Sequence, residues 1–93
     1  MLDAKEAVKK ALEYLNDMFD VSQLRDVVPE EVELSDDDRY WSVKIGFSRR
    51  QVSTAEGPMA SLVGQSEIYR RESKVFTIDA SSGVVRSMKN AQA

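Results

Sequence analysis

The chain has 93 residues, a formal net charge of −3, and neither histidine nor cysteine. That length makes a single domain. The missing side chains exclude a disulfide framework, a thiolate nucleophile, a zinc–thiolate site and any Ser–His–Asp or Cys–His triad within the chain. With 42% hydrophobic and 31% charged residues it reads as a folded globular chain rather than a disordered one.

The charge is unevenly divided. Residues 1–38 hold four bases against twelve acids, a balance of −8, and residues 39–93 hold nine bases against four acids, a balance of +5. Such asymmetry marks either a binding patch or two portions that attract each other once folded. The bases are scattered along strand-like segments rather than gathered in one arm, which favours mutual attraction and argues against a nucleic-acid surface. Every apolar run is interrupted well short of the ~20 residues that span a bilayer. The opening Met-Leu-Asp-Ala-Lys-Glu lacks the basic-then-apolar order of a signal peptide, so the expectation is a cytoplasmic protein without membrane contact.

In chain order, residues 4–19 show helical periodicity. Ala4, Ala7, Val8, Ala11, Leu12, Leu15, Met18 and Phe19 recur at spacings of three and four and form one apolar stripe. Asp3 suits an N-cap, with Glu6 three residues on completing a capping box. A helix of this length is marginal alone, so its stripe must dock on something apolar. Pro29 sits where the connection to the first strand should end, at a position needing no ladder donor. Glu31-Val32-Glu33-Leu34 then alternates as a strand over 30–34, and Ser35-Asp36-Asp37-Asp38 reads as a turn.

Residues 39–48 form the next strand. Trp41, Val43, Ile45 and Phe47 alternate with Tyr40, Ser42, Lys44 and Gly46, the period-two signature of a half-buried strand. Residues 49–66 hold Gly57, Pro58 and Gly64 and read as a long loop, with Gln51–Thr54 and Ser61–Val63 as alternative extensions of the flanking strands. A third strand spans 68–79, with Phe76 and Ile78 inward and Val75 and Thr77 outward. Ala80-Ser81-Ser82-Gly83 is a turn in which Gly83 can take positive φ. A fourth strand returns over 84–89. Short connections favour antiparallel neighbours, so the expected architecture is α+β: one helix on a four-stranded antiparallel sheet in the order α-β-β-β-β.

Few residues suggest chemistry. Asp36-Asp37-Asp38 clusters carboxylates but lacks the glycine and distal glutamate of a calcium loop, and it reads as a solvated turn. The four glycines are scattered, so no phosphate-binding loop is present. Arg49-Arg50 and Arg70-Arg71 lie toward one end of the sheet if their strands pair antiparallel. Four guanidiniums there can grip a carboxylate, a phosphate or an acidic partner, or pair with Glu56, Glu67 and Glu72. Tyr40, on the opposite parity from Trp41, belongs with Lys44, Val75 and Thr77 on the face the helix leaves uncovered.

The stretch Lys74-Val75-Phe76-Thr77-Ile78-Asp79-Ala80-Ser81-Ser82-Gly83-Val84-Val85 resembles the closing hairpin of PepSY-type domains. There, too, a strand ends in Asp-Ala, a glycine turns the chain and a valine-rich strand returns. The alanine-spaced helix and the strand Tyr40–Phe47 sit in PepSY-like order. The helix-on-sheet order is also similar to the cystatin fold, although Gln51-Val52-Ser53-Thr54-Ala55 departs from the cystatin Gln-x-Val-x-Gly hairpin. The PepSY resemblance implies a small binding module, in that family proposed to restrain peptidases.

The expectation is a non-catalytic module with no cofactor and no metal. It docks a protein partner through the open sheet face or the 49–66 loop, using Arg49, Arg50, Arg70, Arg71, Tyr40 and Lys44. Two other classes stand beside it. One is a small-ligand carrier with an apolar pocket between helix and sheet. The other is a homodimer formed by edge strands.

Overall fold

A computed structural model describes residues 1–51 and 68–91. Helix α1 spans Ala4–Met18, a single 3₁₀ turn covers Val21–Gln23, and four strands follow: β1 Leu24–Leu34, β2 Tyr40–Gln51, β3 Ile68–Asp79 and β4 Val85–Asn90. The sheet order is β1-β2-β3-β4, antiparallel throughout, so the expected α+β architecture is the observed one.

Helix α1 begins where its capping chemistry places it. Asp3 accepts from Glu6 N at 2.8 Å, and Glu6 returns a carboxylate oxygen to Asp3 N at 3.2 Å. One side chain per turn, Ala7, Ala11 and Leu15, is fully buried against Val43, Ile45 and Phe47 of β2 and Phe76 and Ile78 of β3. The alanines bring the helix close to the sheet, and Leu15 fills the space nearer its end. Ala4 and Met18, read as stripe residues, are exposed because they lie at the two ends of the docked segment. Trp41 is partly buried and donates from Nε1 to Leu2 O at 3.1 Å, tying the N-terminal segment to the start of β2. At the other end Phe19 packs on Phe47, with ring centroids 5.7 Å apart.

The strand boundaries differ from the sequence reading chiefly at β1. It starts at Leu24 rather than 30, and Pro29 lies inside it instead of before it. The strand is an edge, irregular between Arg25 and Val28, where Asp26 has φ 52°, and again between Pro29 and Glu31. An edge strand tolerates a proline and a bulge because one side of its ladder needs no partner. β2 runs on to Gln51, so 49–51 are strand residues pairing with 68–70 rather than loop. The remainder of the expected 49–66 loop, with its alternative strand extensions, lies outside the described residues.

The β3–β4 turn forms as expected. Gly83 takes φ 77°, and the Asp79 carboxylate accepts from Ser81 N and Ser82 N, both at 2.9 Å. Those backbone hydrogen bonds, the Ser82 contact first, hold the Asp79 pKa below its ordinary value. At the β1–β2 turn Asp37 accepts from Ser35 Oγ at 2.7 Å and Arg39 N at 3.2 Å, and its pKa is lowered chiefly by the Ser35 contact. No helix among the described residues is long and apolar enough to cross a membrane.

Candidate functional site

Strand parity divides the expected site residues between two faces. On β2 and β3, the pairs Trp41–Ile78, Val43–Phe76 and Phe47–Glu72 lie on the helix side, and Tyr40–Asp79, Ser42–Thr77, Lys44–Val75 and Gly46–Ser73 lie on the open side. Arg49 and Arg70 are direct partners on the helix side, whereas Arg50 opposes Tyr69 and Arg71 opposes Ser48 on the open side. The four arginines thus share one end of the sheet but do not form one grip, because adjacent residues of a strand point apart. Tyr40 sits at the far end of the open face, beside the Asp79 turn.

Each arginine has its own surroundings. Arg49 Nε lies 2.7 Å from Glu72 Oε2 as a close ion pair, without the alignment of a hydrogen bond, and the guanidinium sits 5.4 Å from the Phe19 ring centroid. Arg71 donates from Nη1 to Asp26 O at 2.7 Å, pinning the left-handed residue of β1. Among the described residues Arg50, Arg70 and Lys44 have no carboxylate within ion-pair distance. On the open side Arg25 of β1 lies 4.2 Å from the Tyr69 ring centroid.

A glycine organises the middle of this face. A Cβ at Gly46 would stand 2.6 Å from Glu30 Cδ and 2.9 Å from Arg71 Nη2, so both side chains lie over the bare backbone of β2. Glu30 Oε1 also accepts from Ser73 Oγ at 2.7 Å. Glu30 of the acidic portion is thus tied to Ser73 of the basic one by a hydrogen bond, not by an ion pair. The ion pairs Lys10–Glu13 and Arg49–Glu72, by contrast, each stay within one portion. Sequence reasoning missed Glu30. The available signal was Gly46 itself, since glycine inside a strand marks a close approach of other groups.

β4 is shorter than β3. Its last ladder pair is Asn90–Lys74, after which Ala91 N donates to Ser73 O at 3.0 Å. Where β4 stops, a concavity of about 580 Å³ opens, lined by Lys44, Arg70, Arg71, Glu72, Ser73, Asn90 and Ala91. It gathers three of the expected residues, Lys44, Arg70 and Arg71, and leaves Arg49, Arg50 and Tyr40 outside its lining. Three cationic residues line it against one acid, which is already paired with Arg49, and the Arg71 guanidinium is turned across β2 to Asp26 O. Its lining holds no histidine or cysteine, and no cluster of three or more metal-ligating side chains occurs among the described residues.

The class is therefore a two-layer α+β domain with a basic notch at the short end of its sheet. No protein-family model, curated protein or solved structure matches the chain.

Proposed function

We propose that this chain is a non-catalytic binding module that holds an acidic stretch of a partner protein in the notch beyond β4. The observation that carries this reading is that Lys44 and Arg70 line one concavity and have no ion-pair partner among the described residues. Cations left unpaired around a concave surface favour an anionic guest and repel a cationic one. The PepSY-type resemblance of residues 74–88 agrees with a non-catalytic role, including restraint of a peptidase. The space between helix and sheet, where an apolar ligand would sit, is occupied by the fully buried Leu15, Ile45, Phe47 and Phe76.

The test is titration of the protein with glutamate-rich and lysine-rich peptides, read by heteronuclear NMR. The expected result is shifts confined to Lys44, Arg70–Ser73 and Asn90–Ala91 with the acidic peptide, weakening as salt rises. Equal responses to both peptides, or shifts centred elsewhere, reject the reading.

A further inference from the structure

We infer that two copies of this chain pair through β4, edge to edge and antiparallel about Met88, so that their sheets join into one. The inference stands apart from the acidic-partner reading and uses none of the notch arginines.

β4 is the sheet edge beside β3. Asp79 N donates to Val84 O at 2.8 Å and Ala91 N donates to Ser73 O at 3.0 Å, so Asp79 and Ser73 face β4. Ala80 N donates instead to Arg39 O at 2.9 Å, toward β2. Along a strand these directions alternate residue by residue. Val75 and Thr77 therefore face β4, and their partners Lys89 and Ser87 face back to β3, as Ala91 does. Met88 and Asn90, which lie between them, aim their N–H and C=O groups outward, where no described strand runs. Such a row is a template for another chain.

The rest of this chain does not supply that strand. Residues 92 and 93 are too few to reverse direction and return beside Met88. Residues 52–67 rejoin the sheet at Ile68, eight positions along β3 from Phe76, the partner of Met88, which is about 26 Å at the rise of a strand. Sixteen residues that go out and come back span about 28 Å at full stretch, which leaves nothing to form a ladder along β4.

The two edges of the sheet suit a second copy differently. On β1, Ser35 N donates to Tyr40 O at 2.8 Å, so Ser35, Glu33 and Glu31 face β2 while Val32 and Leu34 face outward. Antiparallel self-pairing centred on Val32, or midway between Val32 and Leu34, sets Glu33 opposite Glu31 or opposite the partner's Glu33. Pro29 and two irregularities interrupt the strand as well. Like charges directly opposite each other and a proline guard an edge. β4 holds no proline. Centred on Met88, it sets Ser87 opposite the partner's Lys89 and Arg86 opposite the partner's Asn90, with no like charges directly opposite.

Apolar material lies along the same seam. Met88 is opposite Phe76 on the helix side and is half-buried against the core, as are Val85 and Tyr14. The Tyr14 ring stands edge-on to Phe76 with centroids 6.2 Å apart. Pairing brings Met88 against the partner's Met88 beside these side chains and covers what the single sheet leaves half-exposed. Ser87 and Lys89 stay on the open side. In this register the partner's Val85 stands opposite Ala91. Val84 of the partner subunit, 56% exposed in the single chain, then lies past the end of β4, on the outer side of the notch.

The experiment is sedimentation equilibrium of the intact protein, with amide hydrogen exchange at low and high concentration. A dimer is expected. The Met88 and Asn90 amides gain protection as concentration rises, whereas those of Ser87 and Lys89, already bonded to β3, are protected throughout. Asn90→Pro removes an outward N–H that the ladder with β3 does not use, and it should weaken the dimer by about tenfold or more. The chain has no cysteine, so Met88→Cys introduces a single thiol. Paired α-carbons about 5.5 Å apart suit a disulfide, and this variant should oxidise to a linked dimer while Val32→Cys, on the other edge, does not. If either β4 variant does not fold, exchange in the unaltered protein decides. A monomer at millimolar concentration overturns the inference. So does a dimer whose Met88 and Asn90 amides stay unprotected, which places the contact elsewhere. Protection of those amides in a monomer, equal at every concentration, assigns the edge to the chain itself and overturns it too. None of these results bears on peptide binding in the notch.

Discussion

Ser73 on β3 donates its hydroxyl to Glu30 on β1, 2.7 Å away, across the bare backbone of Gly46 on the strand between them. The contact spans three strands and depends on an absent side chain. It also places Glu30 beside Arg71, so the geometry of the open face near the notch rests on position 46.

Gly46→Ala is therefore expected to behave differently in two backgrounds. With Glu30 present the added methyl must push the carboxylate and the Arg71 tip aside. With Glu30→Ala the carboxylate is gone, and alanine gains from a less disordered unfolded chain by about 0.4–1 kcal/mol. Urea unfolding of the four proteins in a double-mutant cycle should show a coupling of about 1 kcal/mol, with alanine at 46 better tolerated when Glu30 is removed. Additive effects would show that Glu30 does not depend on the glycine.

Arg49 and Arg70 are cross-strand neighbours with different expected costs. Arg49→Ala leaves Glu72 Oε2, a buried oxygen, without its cation and should destabilise the fold by about 1–3 kcal/mol. Arg70→Ala removes an exposed side chain with no ion-pair partner among the described residues, and should fall within ~0.5 kcal/mol of the parent. Chemical denaturation separates them. Equal costs would mean that the Arg49–Glu72 pair contributes no more than a solvated one.

The turn aspartates set a pH dependence. Asp20, Asp37 and Asp79 all have folded pKa values lowered from 3.8, by hydrogen bonds from Ser22, from Ser35 and from the Ser82 and Ser81 backbone, respectively. A carboxylate with a depressed folded pKa contributes stability that is fully present above the unfolded value and is lost as pH falls through the folded one. Unfolding midpoints should accordingly hold above about pH 5 and decline below about pH 4 as these carboxylates take up protons. Asp79→Asn should flatten that decline while lowering stability at neutral pH. An unchanged slope in the variant would remove Asp79 from the account.

Much of the architecture is legible in the sequence because it follows from local periodicity. The spacing of Ala7, Ala11 and Leu15 identifies the buried helix face, and the alternation from Tyr40 to Phe47 and from Lys74 to Asp79 assigns each side chain to a face. Asp3 with Glu6, and Asp79 with Gly83, mark their cap and turn through contacts a few residues apart. The start of β1 was not legible. Arg25 to Glu30 holds a proline and a left-handed aspartate and buries little, so it carries no alternation, and only pairing with β2 makes it a strand.

For the site, composition and charge order set the stock of chemistry: no imidazole, no thiol, and a basic second portion with paired arginines. That adjacent arginines diverge was not read from the sequence, because residues 49–51 were expected in a loop and only their pairing with 68–70 shows them to be strand. Which cations meet was decided only by tertiary structure. Lys44 reaches the notch beside Arg70 and Arg71 because β2 and β3 pair in one register and β4 ends early at Asn90. Register and strand length depend on contacts between residues far apart in the chain, and local periodicity contains no information about them.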